Sequence, residues 1–509
     1  MMNGKLHAAE HLPNAEDLLN PFVHRLELST TYDKIKTGVL TVAVLPFRVA
    51  AIMVLLVLAW LLACVGLLGL SEDDLRSRPM TGWRRNARAV ICCVMRGLFL
   101  CGGFHWVTVK GKQATAKEAP VLALAPHSSY FDALPVVYLG APSIVAKGET
   151  GHLPFFGKLI NYTQPVYVWR EDPNSRQNTI KEIIERATSD LDWPQVLIFP
   201  EGTCTNRSCL ITFKPGAFYP GVPVQPVCLR YPNKLDTVTW TWEGPGALKL
   251  LWLTLTQVHS SCVIEFLPVY HPNEDEKRDP KLYANNVRKL MARALGIPMS
   301  DYTYDDCRLI TRAKRLNIPG AAGLLEVQKL RGRLGLVNSD AEEKILSEHR
   351  HLFSKDGGKI SYKQFAKLLG IEPSDGHLQQ LFCLYDKESS GVIDVREYIF
   401  EVLVISKAKK TSDIIPIVFQ VFGSGEDGSL SQSDLPGVLQ HTLGMAPMEV
   451  AQLCSHLDKT GKAHISHDEL TKFLQHKSDC TGLFSSNQWN LKNSLSTECL
   501  LSTGSSKTE

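Results

Sequence analysis

The chain has 509 residues, which is room for about three domains of ordinary size. Hydrophobic residues make up 44 % and charged residues 21 %, values that exclude a wholly disordered or collagen-like protein. The 55 Lys and Arg residues nearly balance the 52 Asp and Glu residues, and a net charge of +3 argues against a nucleic-acid-binding protein that works by neutralising phosphates. The mean hydropathy of −0.06 is typical of a soluble protein, but the apolar residues are unevenly distributed.

An apolar run of 22 residues without a charged side chain extends over 49–70. As a helix it would be about 33 Å long, enough to cross the ~30 Å hydrocarbon core of a bilayer. Core helices of soluble proteins rarely stay apolar on every face, so we predict a membrane-embedded helix at 49–70, preceded by an N-terminal segment, 1–48. A second apolar stretch, 89–107, could lie in the membrane interface, return as a hairpin or belong to the core.

The flanks of the run and the cysteine content indicate a compartment. More basic residues follow the apolar run than precede it, which favours a cytosolic location for the rest of the chain. The 13 cysteines, an odd number without CxxC pairs, are typical of free thiols in a reducing compartment. Two glycosylation sequons, at Asn161 and Asn206, fall among the motifs described below, where glycans would obstruct a site.

Residues ~115 to ~300 alternate short β-branched runs with helical patterns, which predicts an α/β domain with a largely parallel sheet, within the bounds 71–310. The ligand sites of such sheets lie at the C-terminal ends of the strands. The predicted strands are 121–125, 143–146, 165–169, 196–199, 222–229 and 262–269, and the predicted helices include 178–191 and 283–295.

The first predicted strand is followed by His127 and, five residues later, by Asp132. If His127 precedes a helix and Asp132 lies in its first turn, the carboxylate can accept from Nδ1–H and leave Nε2 as a general base. The spacing alone is weak evidence, since a hydrogen-bonded structural histidine has the same pattern.

A second strand end, after 196–199, presents Glu201, Gly202 and Thr203. Glycine permits close approach to the backbone, and backbone N–H groups with a threonine hydroxyl can bind a phosphate or a hydroxyl. Between the two strand ends lie Lys147–Gly148 and the segment that ends at Arg170, which add basic and aromatic side chains suited to an anionic lipid headgroup.

The C-terminal third, 340–475, repeats a calcium-loop pattern. Apolar residues at 360, 393, 430 and 465, spaced by 33, 37 and 35, predict four helix–loop–helix units in two pairs. In the one well-formed loop, 386–397, the predicted Ca²⁺ ligands are Asp386, Glu388, Ser390, the Val392 carbonyl, Asp394 and Glu397. The other three loops lack these residues and are predicted to be structural partners, and the Ser/Thr-rich tail, 477–509, is predicted to be disordered.

Together these motifs resemble the glycerophospholipid acyltransferase family. The matching blocks are His127-x4-Asp132, 148–170, 199–203 and the proline-containing strand 222–227. The sequence around Glu201 and Cys204, followed by EF-hands, is similar to the lysophosphatidylcholine acyltransferase branch, which includes lyso-platelet-activating-factor acetyltransferases.

The resemblance implies an acyltransferase that uses acyl-CoA or acetyl-CoA to re-acylate the sn-2 hydroxyl of a lysophospholipid. His127 would be the general base and Asp132 would orient it; Lys147, Gly148, Arg170, Glu201, Gly202 and Thr203 would bind substrate. The resemblance also implies residence in the endoplasmic reticulum membrane, with the Golgi or lipid droplets as further locations. The alternative is a membrane-bound calcium sensor whose acyltransferase domain is inactive. The oligomeric state is left open.

Overall fold

The structure is a computed structural model that describes residues 20–169, 172, 174–316, 321–336, 338–349, 358–386, 389–408, 413–423, 429–431, 455 and 464–476. The predicted N-terminal segment is therefore described only from residue 20, and the predicted tail, 477–509, lies outside the described residues. The described chain divides into two compact units, the first ending at Tyr304 and the second beginning at Asp305.

Four helices precede the sheet: α1 (Thr31–Ala43), α2 (Leu45–Leu67), α3 (Glu72–Ser77) and α4 (Gly82–Cys101). Within the described residues, α2 is the one helix that is long and apolar enough to cross a membrane. It begins four residues before the predicted run, because Pro46 occupies the first turn, where its missing N–H costs no hydrogen bond. It ends at Leu67, just before Gly69 adopts φ +71°.

One face of α2 packs against α4, which runs back along it. Small residues on this face, including Ala59, Ala63 and Gly66, are buried and allow close approach of the neighbouring chain. A Cβ atom at Gly66 would lie 2.4 Å from the Tyr162 ring, and the Tyr162 hydroxyl donates to the Arg84 carbonyl at 2.6 Å. The stretch 89–107 is therefore mostly the returning arm of a helical hairpin, and its end forms a strand.

Within the described residues of the first unit, seven strands form one sheet. They are β1 (Phe104–Lys110), β2 (Val121–Ala125), β3 (Ser143–Lys147), β4 (Val166–Val168), β5 (Val196–Ile198), β6 (Val224–Arg230) and β7 (Ser260–Phe266). Their order is β1-β7-β6-β2-β5-β3-β4, and each neighbouring pair is parallel except β6–β7. The predicted largely parallel α/β sheet is confirmed, whereas β1 is an additional strand that the sequence analysis missed.

Helices cover both faces of this sheet: α5 (Ala133–Tyr138), α6 (Phe156–Tyr162), α7 (Ser175–Ala187), α8 (Ala247–Leu255), α9 (Glu274–Arg278) and α10 (Pro280–Leu295). Alternate residues of β2 belong to two different cores, Val121 and Ala123 to one and Leu122 and Leu124 to the other. Because both faces are covered, the strand is apolar throughout, as expected for a parallel sheet.

The second unit is mainly helical. Its helices are α11 (Tyr304–Arg315, which begins one residue before the unit), α12 (Ala321–Arg333), α13 (Asp340–Glu348), α14 (Tyr362–Leu369), α15 (Gly376–Tyr385), α16 (Val395–Lys407), α17 (Ile414–Phe422) and α18 (His467–His476). Between them lie the short strands β8 (Lys359–Ser361), β9 (Val392–Asp394), β10 (Leu430–Ser431) and β11 (His464–Ile465).

The short strands of the second unit pair two by two, β8 with β9 and β10 with β11. Ile360 is opposite Ile393, and Leu430 is opposite Ile465. The four apolar residues that revealed the repeat are thus paired across antiparallel strands. The assignment of this unit as EF-hands stays a prediction.

Candidate active site

The two motif-bearing strand ends lie side by side because β2 and β5 are hydrogen-bonded parallel neighbours. The chain leaves β2 through Pro126 into His127, and it leaves β5 through 199–200 into Glu201. The two turns are joined directly, because the backbone N–H of His127 donates to the Glu201 carboxyl at 2.6 Å. The backbone N–H of Thr205 in turn donates to the His127 carbonyl at 2.7 Å.

Asp132 reaches His127 because the chain between them forms a short capped turn. The Nδ1 atom of His127 lies 2.8 Å from Asp132 Oδ2, which also accepts from the backbone N–H groups of Ser128 and Ser129 at 2.7 Å and 3.1 Å. The Tyr231 hydroxyl donates to Asp132 Oδ1 at 2.6 Å. The carboxylate is 2 % exposed and the His127 side chain 23 %, and Nε2 is the ring nitrogen that Asp132 does not bind.

Burial, neighbouring groups and hydrogen bonds shift the pKa values of the side chains in this cluster. Burial lowers the pKa of His127, but the adjacent Cys204 and the Asp132 carboxylate outweigh it, and the net pKa is raised well above its usual value. Burial raises the pKa of Asp132, but the hydrogen bonds from His127 and Tyr231 lower it by more. The net pKa of Asp132 is therefore below its usual value, and the carboxylate stays ionised. Burial also raises the pKa of the Tyr231 hydroxyl, which keeps it a donor.

Glu201 lies beneath the turn and is 0 % exposed. Burial raises the pKa of its carboxyl from 4.5 to about 8, although the His127 N–H opposes the shift. The Glu201 carboxyl holds the His127 turn in this structure, and its predicted role in binding substrate stays a prediction.

Gly202 and Thr203 follow at the edge of the site. Gly202 has φ +68°, a backbone conformation that favours glycine, and the exposed Lys214 side chain lies over it. The Thr203 hydroxyl accepts from the Trp242 indole N–H at 2.7 Å and keeps its own proton to donate.

Lys147 and Gly148 lie at the end of β3, the strand next to β5, and thus on the same edge of the sheet. The Trp169 ring covers Gly148 so closely that a Cβ atom would lie 2.4 Å from it. The Thr150 hydroxyl donates to the Lys147 carbonyl at 2.6 Å and holds this turn. Arg170 lies outside the described residues.

Three contacts at this site were missed by the sequence analysis. Tyr231 directly follows β6, the other neighbour of β2, so the rule that ligand sites lie at strand ends would have found it. Phe199 stacks on the His127 ring with centroids 4.2 Å apart. Trp242 lies in a segment without a regular pattern, and the sequence contains no signal for it.

The predicted calcium loop in the second unit is described in part. Asp386 accepts from the backbone N–H groups of Ser390 and Gly391, each at 2.8 Å, and the Ser390 hydroxyl donates to the Val392 carbonyl at 3.1 Å. These oxygen donors share one turn and are of the kind that Ca²⁺ takes.

The other predicted ligands fit less well. The Asp394 carboxylate is bound by the Arg396 guanidinium at 2.8 Å, and Glu397 lies in the first turn of α16. Glu388 lies outside the described residues. Over the described ranges, no group of three or more His, Cys, Asp or Glu side chains is placed to hold a metal ion.

Comparison with known proteins identifies the first unit. The family model described as Acyltransferase matches residues 106–230, which include the whole of the His127 and Glu201 turns. Lysophosphatidylcholine acyltransferase from Drosophila melanogaster is 46 % identical over 474 residues, covering 91 % of this chain and 88 % of its own length. The chain belongs to the lysophosphatidylcholine acyltransferase family.

Members of this family in Homo sapiens are similarly close. Lysophosphatidylcholine acyltransferase 1 is 46 % identical over 456 residues, 90 % of this chain and 85 % of its own length. Lysophosphatidylcholine acyltransferase 2 is 45 % identical over 460 residues, which cover 90 % of this chain and 83 % of its own length. The first unit is thus an acyltransferase domain, and the protein is an acyltransferase.

Proposed function

We propose that the protein transfers an acyl group from acyl-CoA or acetyl-CoA to the sn-2 hydroxyl of a lysophospholipid, with lysophosphatidylcholine or its ether analogue lyso-platelet-activating factor as acceptor. The names of the relatives support this choice of acceptor. The observation that carries the reaction is a partly exposed histidine whose Nδ1 is bound by a buried, ionised Asp132. That arrangement is the one a general base requires.

In this mechanism Nε2 of His127 takes the proton of the acceptor hydroxyl, and Asp132 stabilises the resulting imidazolium. The alkoxide attacks the thioester carbonyl, and the tetrahedral intermediate collapses with loss of the CoA thiolate. The imidazolium returns its proton to that thiolate, so the enzyme ends unchanged. Tyr231 and the Ser128–Ser129 backbone keep the aspartate ionised and oriented through the cycle.

Substrate binding falls to residues beside the His127 turn. We assign the lysolipid phosphate and glycerol to Gly202 and Thr203, because the Thr203 hydroxyl has a proton to donate and Gly202 permits close approach. Lys147, Gly148 and Arg170 complete the predicted set. Glu201 acts through His127 and is a positioning residue.

The test is acyl transfer by membranes that contain the full chain, with a panel of lysolipids and both acyl and acetyl donors. The His127→Ala variant should lose activity by at least about 100-fold, the usual contribution of a general base. His271→Ala, which alters an exposed histidine, is the matched control. A His127→Ala enzyme that keeps more than about a tenth of wild-type activity would contradict the role of His127, and a wild-type protein that acylates none of the lysolipids would contradict the proposed acceptor.

We further propose that α2 is embedded in the endoplasmic reticulum membrane and that the acyltransferase domain faces the cytosol. The side-chain amide of Asn206 supports this orientation, because it donates to the carbonyls of Asn20 and Val23 at 3.0 Å and 2.9 Å and a glycan on Nδ2 would replace one of the two hydrogens that make these bonds. Expression in cells and treatment with an endoglycosidase tests it. A mobility shift that Asn206→Gln abolishes would place the domain in the lumen.

Loop 386–397 is the proposed Ca²⁺ site of an EF-hand domain, with Asp386, Ser390 and the Val392 carbonyl as the ligands that the fit supports best. Calorimetric titration of the full chain with Ca²⁺ should give one site, which Asp386→Asn removes. Asp375→Asn, which alters the N-cap of α15 outside the loop, is the control. Equal binding by both variants would contradict the proposed site.

A further inference from the structure

The helix before the apolar α2 has an unexpected outer surface. Four residues of α1 at helical spacing form an apolar stripe, each between 58 % and 79 % exposed: Tyr32, Ile35, Val39 and Val42. Side chains of this size and exposure on an isolated helix face are unusual in a protein that is surrounded only by water.

The apolar surface continues onto α8. Leu250 and Leu253 of α8 are buried in a small core with Leu26, whereas Leu248 on the opposite side is 72 % exposed. Leu251 and Trp252 are also exposed on that outer side. The helix therefore has two apolar faces, and only one of them is used by the fold.

Hydrogen bonds join α1 and α8 to each other and to the base of α2. The Trp252 indole donates to the Thr41 hydroxyl at 3.0 Å. The Arg48 guanidinium, in the first turn of α2, donates to the carbonyls of Leu255, Gln257 and Val258 at 2.7 Å, 2.6 Å and 2.9 Å, which neutralises the C-terminal end of α8. Only Val44 separates α1 from α2. The three helices thus form one connected structure around the start of the apolar helix.

The same structure reaches the active site. The hydroxyl of Tyr130, within the turn from His127 to Asp132, donates to the carbonyl of Ala247 at the first residue of α8 at 3.0 Å. This hydrogen bond connects the first residue of α8 to the catalytic turn.

We propose that the outer faces of α1 and α8, which we call the α1–α8 surface, lie in the headgroup region of a lipid bilayer. The proposal rests on the membrane association of α2 proposed above, since the α1–α8 surface is continuous with the apolar side chains that α2 exposes. Exposed Lys34 and Lys249 flank the apolar residues, as in helices that lie on anionic lipid. This surface would direct the catalytic turn toward acceptors that are held in the membrane.

The first test compares two presentations of the acceptor to the full chain reconstituted in vesicles of phosphatidylcholine and phosphatidylserine. The Ile35→Asp/Val39→Asp double variant should raise the KM for long-chain lysophosphatidylcholine in the vesicle at least about tenfold. Its kcat/KM for a monomeric short-chain lysophosphatidylcholine should stay within about twofold of wild type, because the catalytic turn is unaltered. Leu191→Asp, which charges an exposed apolar residue away from this surface, is the control and should change neither value.

Equal losses with both acceptors would overturn the proposal, because they would mean that the double variant damages the site itself. An unchanged KM of the double variant in vesicles would also overturn the proposal. If the double variant instead changed its oligomeric state in detergent without a change in KM, the proposal would be overturned in favour of a second copy of the chain as the partner of this surface.

The second test does not need activity, so it separates this proposal from the proposed reaction. Brominated lipids quench tryptophans that lie in the bilayer, and Trp252 should be among those quenched. The Trp252→Phe variant should therefore lose part of the quenched emission. Identical quenching of the variant and wild type would contradict the proposed surface even if acyl transfer is confirmed, and a quenching difference would stand even if no transfer is found.

Discussion

The buried Glu201 gives the sharpest test of how this site is built. The proposed change is Glu201→Gln, which keeps an oxygen to accept from the His127 N–H and removes the ionisable proton. Because the folded-state pKa of Glu201 is about 8 rather than 4.5, ionisation of Glu201 opposes folding. This penalty is absent below about pH 4.5, grows as the pH rises and is complete above about pH 8.

A shift of that size corresponds to about 5 kcal/mol, which is the upper limit of the effect. The E201Q variant carries no such penalty, so the free energy of unfolding should rise relative to wild type by several kcal/mol at pH 8 and by less than about 1 kcal/mol at pH 5. For a unit of this size, each 1 kcal/mol raises Tm by about 2–4 °C. Thermal unfolding in detergent at the two pH values measures the difference.

The control is Glu185→Gln, which alters a carboxylate that is 61 % exposed and should show no pH-dependent gain. Activity gives an independent readout, because a positioning role predicts that the lysolipid KM of E201Q stays close to wild type while Glu201→Ala lowers kcat by about tenfold or more. A gain in stability that is equal at pH 5 and pH 8 would refute the argument from burial. A large rise in the lysolipid KM of E201Q would return Glu201 to substrate binding.

Three further predictions follow from single contacts. Asp132→Asn removes a carboxylate that raises the pKa of His127, so the rise of kcat/KM with pH should move to lower pH. The plateau value of kcat/KM should also fall by about 100-fold. A pH profile at the wild-type position would contradict the pairing of the two residues. Tyr231→Phe removes a donor to Asp132 and should cost about 1–3 kcal/mol in chemical unfolding, with an unchanged value arguing against the bond. Gly66→Ala places a methyl group against Tyr162 and should lower the free energy of unfolding by about 1–3 kcal/mol, which a lower Tm would show. Gly38→Ala, with open space around the added methyl group, should leave Tm unchanged.

The α/β pattern could be predicted because apolar residues recur with different spacings in the strands and in the amphipathic helices of this domain. The strand 121–125 was predicted with the bounds that the structure gives. The strand at Phe104–Lys110 was missed because its apolar residues follow α4 with only Gly102 and Gly103 between them, so one continuous apolar stretch contains both a helix end and an edge strand. Periodicity cannot separate two elements that share composition and a short connection.

The amino-acid sequence alone was sufficient for two local features, the apolar helix and the alternation of strands and helices. The spacing of His127 and Asp132 suggested a pair, but by itself it was weak evidence. Tertiary structure decided the rest. Strand order brought Glu201 under His127 and Tyr231 onto Asp132, from positions 74 and 99 residues away in the chain. Burial then raised the pKa of Glu201, and pKa values depend on neighbours and solvent access that only the folded chain creates.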